Sequence, residues 1–111
     1  MRANISVISV LIAAFAPALA AAGAAEDFDR GYRLAQEKGC LDCHALGQST
    51  AAPSFRAIAK RYRFHSQQPE RLPAVIRGGS AGHWGDRFVM WPQPRLSDQE
   101  VRQLVDWILA Q

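Results

Sequence analysis

Apolar residues recur along most of this chain at the 3.6-residue spacing of amphipathic helices, and no run of β-branched or aromatic residues reads as a strand. Between about Glu26 and Lys38, Phe28, Gly31, Tyr32 and Ala35 fall at i, i+3, i+4 and i+7, and Gly39 is placed to end the helix. Glu26, Asp27 and Asp29 then occupy the first turn and Lys38 the last, each charge suiting the helix dipole. A glycine inside a helix costs about 1 kcal/mol relative to alanine. Close approach by a second helix is the compensation expected at Gly31. Phe55, Ile58, Ala59 and Tyr62 repeat the stripe, with Ser54 as cap and Arg56, Lys60 and Arg63 on the other side. Phe64 to Gln68 reads as a connector. Pro69 or Pro73 opens a short helix carrying Leu72, Val75 and Ile76 inward, and Gly78-Gly79 closes it.

From Gly78 to Pro94 the chain is rich in Gly, Pro and Trp and shows no sustained period, so a long loop is expected. Trp84, Phe88 and Trp91 argue that this loop is pinned against something apolar. The last helix is announced by the capping box Ser97-Asp98-Gln99-Glu100, with Leu96 and Val101 placed as a hydrophobic staple. Val101, Leu104, Val105 and Ile108 form its stripe, Trp107 lies beside them, and this helix is predicted to pack on Gly31.

The N-terminus changes the picture of where the chain works. Met1 to about Ala22 combines Arg2, an apolar run from Ile5 to Phe15, Pro17 and the small-residue site Ala18-Leu19-Ala20, the pattern of a secretory signal peptide cleaved between about residues 20 and 25. An uncleaved anchor needs roughly 20 predominantly apolar residues. This run is shorter and is interrupted by Ser6 and Ser9. Cleavage after Ala20 leaves 91 of the 111 residues, one small domain over residues 26–111. With Arg2 removed, the 13 basic residues become 12 against 10 acidic ones, and no strongly polyanionic partner is implied. Nucleic-acid binding is excluded, because export removes the ligand and the excess charge is small. No stable membrane insertion is expected after cleavage, and a monomer is favoured.

Candidate chemistry centres on Cys40-Leu41-Asp42-Cys43-His44, the C-x-x-C-H pattern of c-type haem attachment. Two thiols three positions apart can bond to the two vinyl groups of one haem, and the adjacent imidazole then reaches the iron. Haem attachment of this kind takes place outside the cytoplasm in bacteria, in agreement with the signal. Three other readings of the pair exist. A thioredoxin-like redox motif lacks βαβ patterning. A zinc site would have to recruit His44, His65 or His83 at unusual spacing. A plain disulfide across two intervening residues closes too short a loop to stabilise much.

Taken together, the mature chain resembles the small bacterial class I cytochromes c. The resemblance rests on the N-terminal helix, C-x-x-C-H, Pro53 nine residues beyond the histidine, the turn from Gly78-Gly79 to Trp84-Gly85, Met90-Trp91-Pro92 and the C-terminal helix. It implies an all-α class I cytochrome c fold of about four short helices around one covalent haem c. It also implies thioether bonds at Cys40 and Cys43, His44 as proximal iron ligand, the Pro53 carbonyl accepting the imidazole N–H, Met90 as distal ligand, and Trp84 donating to a haem propionate. The residues independently favour Met90, because the only other methionine, Met1, leaves with the signal. His65 and His83 are the rival distal ligands. Arg77 and Arg87 are further, weaker propionate candidates, neither of which aligns securely with a family residue. Two departures from the family pattern are Trp91, where a second proline is common, and about one extra residue between Trp84 and Met90.

With both axial positions filled, the iron has no place for substrate, and the resemblance implies a soluble periplasmic one-electron carrier that meets its redox partners transiently and is not an enzyme. The basic run from Arg56 to Arg77, with Glu70 its sole acidic residue, would steer an acidic partner or simply be a solvated helix face. The alternative is a haem c subunit permanently paired with a periplasmic oxidoreductase, which an apolar patch including Trp91 would favour. A peroxidase-like or gas-binding cytochrome, with an opening sixth position, is opposed by Met90.

Overall fold

The computed structural model describes residues 16–64 and 69–111, so His65 and the signal-like stretch before Ala16 lie outside the described residues. Helix α1 runs over Ala16–Glu37, ten residues earlier than the apolar stripe predicts. The reason is local: seven of the ten residues from Ala16 to Ala25 are alanine, the strongest helix former. Glu26, Asp27 and Asp29 therefore sit mid-helix rather than in a first turn. Asp27 instead pairs with Arg30 one turn on, at 3.5 Å on the exposed surface, where such pairs contribute little. Residues 18–30 are exposed, and α1 is buried from Gly31 onward, through Leu34 and Ala35, with the Phe28 ring also meeting Trp107 at 6.1 Å between centroids. Phe28, expected on the buried face, is 40% exposed and stacks on Tyr32 at its edge.

Gly39 ends the helix in a left-handed conformation, φ 76°, and a 3₁₀ turn over Cys40–Asp42 follows. Helix α2 spans Phe55–Phe64, its start capped by Ser54, whose hydroxyl accepts from the Ala57 N–H at 3.1 Å. Phe55, Ala59 and Tyr62 of the expected stripe are buried and Ile58 is half-buried. Pro69 opens a second 3₁₀ turn, Pro69–Arg71, and α3 follows over Leu72–Gly78 with Leu72 and Ile76 buried.

The segment expected to be a long loop contains a hairpin: β1, Ser80–Gly82, pairs antiparallel with β2, Gly85–Met90. The expectation of no strand is thus corrected here. Gly82 and Gly85, at φ 79° and 86°, make the reversal, and the register slips between Ala81 and Gly82. Met90 is the last residue of β2 rather than part of a free loop. Trp84 and Phe88 are half-buried, but Trp91 is 78% exposed and so is not pinned as expected.

Helix α4, Asp98–Leu109, begins with both halves of the capping box: Glu100 N–H donates to the Ser97 hydroxyl at 3.1 Å, and Ser97 N–H donates to the Glu100 carboxylate at 2.9 Å. It packs on α1, α2 and α3, and buries Val101, Leu104, Val105, Trp107 and Ile108. At the α1–α4 crossing a Cβ on Gly31 would fall 2.5 Å from Trp107 Cβ, so the predicted glycine contact is present. Lys38, one residue past α1, ties it to α4 through Glu100 at 2.8 Å. Among the described residues no helix is long and apolar enough to cross a membrane.

Candidate functional site

The 3₁₀ turn brings Cys40, Cys43 and His44 to one side of the chain, held by His44 N–H donating to the Cys40 carbonyl at 2.9 Å. The following loop folds back on itself. Phe55 and Arg56 N–H groups donate to the carbonyls of Ala45 and Leu46 at 2.9 and 3.0 Å, and Ser54 N–H donates to the Ser49 hydroxyl at 2.9 Å. This closure sets Pro53 beside the imidazole: His44 Nδ1 lies 2.6 Å from the Pro53 carbonyl oxygen. A carbonyl can only accept, so Nδ1 carries the proton and Nε2 keeps its lone pair. Phe55 stacks on the same ring with centroids 5.1 Å apart.

Cys40, Cys43, His44, Pro53, Trp84 and Met90 all line one cavity, whose empty space is about 1210 Å³ with its open mouth included. Phe55, Ile58, Leu72, Val75, Ile76, Phe88, Leu96, Leu104 and Ile108 complete a predominantly apolar wall, of the kind that takes a large flat cofactor with few polar anchors. Cys40 and Cys43 are not joined in a disulfide. Burial pushes the Cys40 thiol above its ordinary pKa, with the nearby Asp42 carboxylate adding in the same direction. Among the described residues no three His, Cys, Asp or Glu side chains converge as a metal cluster. The donor set is therefore two thiols, one imidazole with a free Nε2 and one thioether on an apolar wall, and it fits an iron porphyrin.

Gly79, at φ 75°, closes α3 and packs so tightly on the backbone after β2 that a Cβ would strike the Met90 carbonyl oxygen and lie 3.0 Å from Pro92 N. Gln93 N–H adds two bonds to the carbonyls of Ile76 and Arg77, each 3.1 Å. Together these fix the Met90 end of the hairpin to α3. The rival His83 is exposed and borders a different depression, with Tyr62, Glu70 and Arg71. Neither Arg77 nor Arg87 lines the cavity: Arg77 is paired with Asp98 at 2.5 Å, and Arg87 is exposed. One contact had no sequence signal. Arg61, in sequence one cation of a basic run, places its guanidinium carbon 4.4 Å from the centroid of the Trp84 ring and donates to the His83 carbonyl.

Comparison with known proteins agrees with this geometry. The family description "Cytochrome c" matches residues 28–111. Cytochrome c-552 of Hydrogenobacter thermophilus is 35% identical over 78 residues, 70% of this chain and 78% of that protein. Cytochrome c-551 of Azotobacter vinelandii is 33% identical over 82 residues, 74% of this chain and 98% of that one. The crystal structure of wild-type Nitrosomonas europaea cytochrome c552 superposes with a TM-score of 0.64 at 33% identity, covering 70% of this chain and 95% of its own.

Proposed function

Because this chain belongs to the cytochrome c family, as a small bacterial class I member that carries one covalent haem c and transfers electrons to and from redox partners rather than catalysing a reaction, we propose that it is a periplasmic one-electron carrier with His44 and Met90 as axial iron ligands. When bound, haem supplies an Fe(III)/Fe(II) couple that needs no open coordination position. Cys40 and Cys43 hold it covalently through two thioethers. His44 presents Nε2 because Pro53 occupies Nδ1, and that bond orients the ring and raises its basicity. Met90 offers the thioether from the same wall, which raises the potential above that of a two-imidazole site. The apolar lining excludes water and keeps reorganisation on electron transfer small.

The observation that carries the ligand assignment is the placement of Met90 and His44 on one cavity while His83 borders another. Export follows from the N-terminal pattern: Met1 to about Ala22 is removed as a signal and haem is attached in the periplasm. Intact mass of the exported protein should equal the chain less about 20 to 24 residues plus one haem. In the oxidised protein, thioether sulfur on low-spin ferric haem gives a weak far-red charge-transfer band that two nitrogen ligands do not. The band is expected in the unsubstituted protein and in His83→Ala, and lost in Met90→Ala, which should also bind cyanide more readily and have a lower potential. A band that survives Met90→Ala refutes the assignment.

One observation favours a second reading. Trp91 and Val89, 78% and 63% exposed, lie at the rim of the cavity, and an apolar rim suits permanent pairing with a periplasmic oxidoreductase. Purification from the native periplasm separates the two: a carrier elutes alone, a subunit with its larger partner.

A further inference from the structure

The β1–β2 turn consists of His83 and Trp84 between two glycines in left-handed conformations, Gly82 and Gly85. Backbone of that kind has many alternatives, so nothing local fixes where the Trp84 ring lies. The other end of the hairpin is tied to α3 by Gln93 and Gly79. The turn is tied to α2 by Arg61. Its guanidinium lies over the Trp84 ring at 4.4 Å, inside cation–π range, and its Nη1 donates to the His83 carbonyl. Trp84 lines the cavity and Arg61 does not.

We propose that Arg61 is a positioning residue for electron transfer: it clamps the His83–Trp84 turn onto α2, fixes the indole on the cavity wall, and through the indole sets the reduction potential. The proposal rests on the haem-carrier reading of the cavity. Reduction adds negative charge inside a wall of low polarity, where the placing of a single N–H dipole counts for more than it does in water. Arginine is required for geometry rather than charge. A guanidinium is flat enough to stack on the indole and forked enough to bond the carbonyl at the same time, whereas a lysine ammonium is a point charge on a flexible stem.

The test is a double-mutant cycle in the haem-loaded protein, measuring midpoint potential in the unsubstituted chain, Arg61→Lys, Trp84→Leu and the pair. Lysine keeps the charge, so a purely electrostatic role leaves the potential nearly unmoved. The expected result is a shift on Arg61→Lys when Trp84 is present and no further shift in the Trp84→Leu background. In Arg61→Lys the Trp84 indole N–H, followed by NMR, should exchange with solvent roughly tenfold faster, the loss expected for one stacked and hydrogen-bonded cation. Equal shifts in both backgrounds, no shift in either, or an unchanged indole exchange rate would overturn the proposal. The far-red band of the unsubstituted protein reports on ligation separately. Its absence would defeat Met90 as ligand, whereas a null cycle with the band intact defeats Arg61 alone.

Discussion

Replacing Gly31 by alanine sets two effects of known sign against each other at the α1–α4 crossing. Alanine gains about 1 kcal/mol of helix propensity over glycine. Against that, the new Cβ would lie 2.5 Å from Trp107 Cβ and nearer still to Cγ and Cδ1, while carbon pairs are comfortable only at about 3.5–4.0 Å. The axes must therefore separate by about 1 Å. A change of rotamer does not relieve this, because Trp107 Cβ moves only with the α4 backbone. The indole itself is 4% exposed and enclosed by Phe28, Tyr32 and Phe55. Overpacking costs about 1–3 kcal/mol, and a backbone-anchored obstacle puts this site in the upper half of that range. The net expectation is a loss of about 1–2 kcal/mol, read as a fall in Tm of roughly 4–8 °C per kcal/mol for a domain of this size. Thermal and denaturant unfolding of the haem-loaded protein measure it. Gly31→Val should cost more, and a Trp107→Leu background should reduce the penalty. An alanine variant with an unchanged or raised midpoint refutes the reasoning, since propensity alone would then be acting.

Three further outcomes follow from the remaining contacts. Ser97→Ala should lower stability by about 0.5–2 kcal/mol through loss of the α4 cap, a denaturation midpoint identical to that of the unsubstituted chain being the contrary result. The Lys38 hydrogen bond, with the Ser97 N–H and the Lys38 charge, lowers the Glu100 pKa, and Glu100 in turn raises that of Lys38. The carboxylate's contribution is thus present above the ordinary glutamate value of about 4.3 and fades as pH falls through its lower folded value, while the lysine's is present below about 10.4 and fades above it. Glu100→Gln keeps the capping geometry, so it should flatten the acid side of the stability–pH curve, and an unchanged slope there counts against the pair. Gly79→Ala, at φ 75° and ψ −177° and against the Met90 carbonyl oxygen, should strain the backbone by about 1–3 kcal/mol and displace the Met90 segment, so that cyanide titration of the ferric protein gives tighter binding; equal affinity would separate the glycine from the ligand.

The helices were legible where burial is one-sided and the ends carry chemical punctuation. Helix α4 announces itself because Ser97 and Glu100 satisfy each other's backbone groups and because its stripe must face one core. The crossing on Gly31 was legible for a related reason: a costly glycine in an otherwise favourable helix implies something that cannot tolerate a Cβ. The start of α1 was misplaced because the stripe reports burial, not helicity. The alanines before Glu26 propagate the helix without burying anything. C-x-x-C-H was legible because covalent attachment and iron ligation fix three residues at set places in a five-residue span, and Pro53 and Met90 came into view through the family resemblance.

The hairpin was hidden by its own exposure. A strand shows alternation when one face meets a core, but Gly85, Asp86 and Arg87 are exposed in succession and only Phe88, Val89 and Met90 alternate, too short a run to register. Its conformation is set instead by glycines at positive φ and by ties made from elsewhere: Gln93 to α3, Gly79 against the Met90–Pro92 backbone, and Arg61 across 23 positions to Trp84. None of these leaves a local pattern, because each partner is ordinary where it stands. Arg61 looks like a solvated cation among Arg56, Lys60 and Arg63. That has a consequence for how the site is built. The proximal side, from Cys40 to Pro53, is shaped by short-range bonds that its own sequence specifies, whereas the Met90 side borrows its position from α2 and α3. Substitutions at Arg61 or in α3, away from the Phe55 end of α2 that stacks on His44, should therefore perturb the thioether side of the cavity first and leave His44 on Pro53.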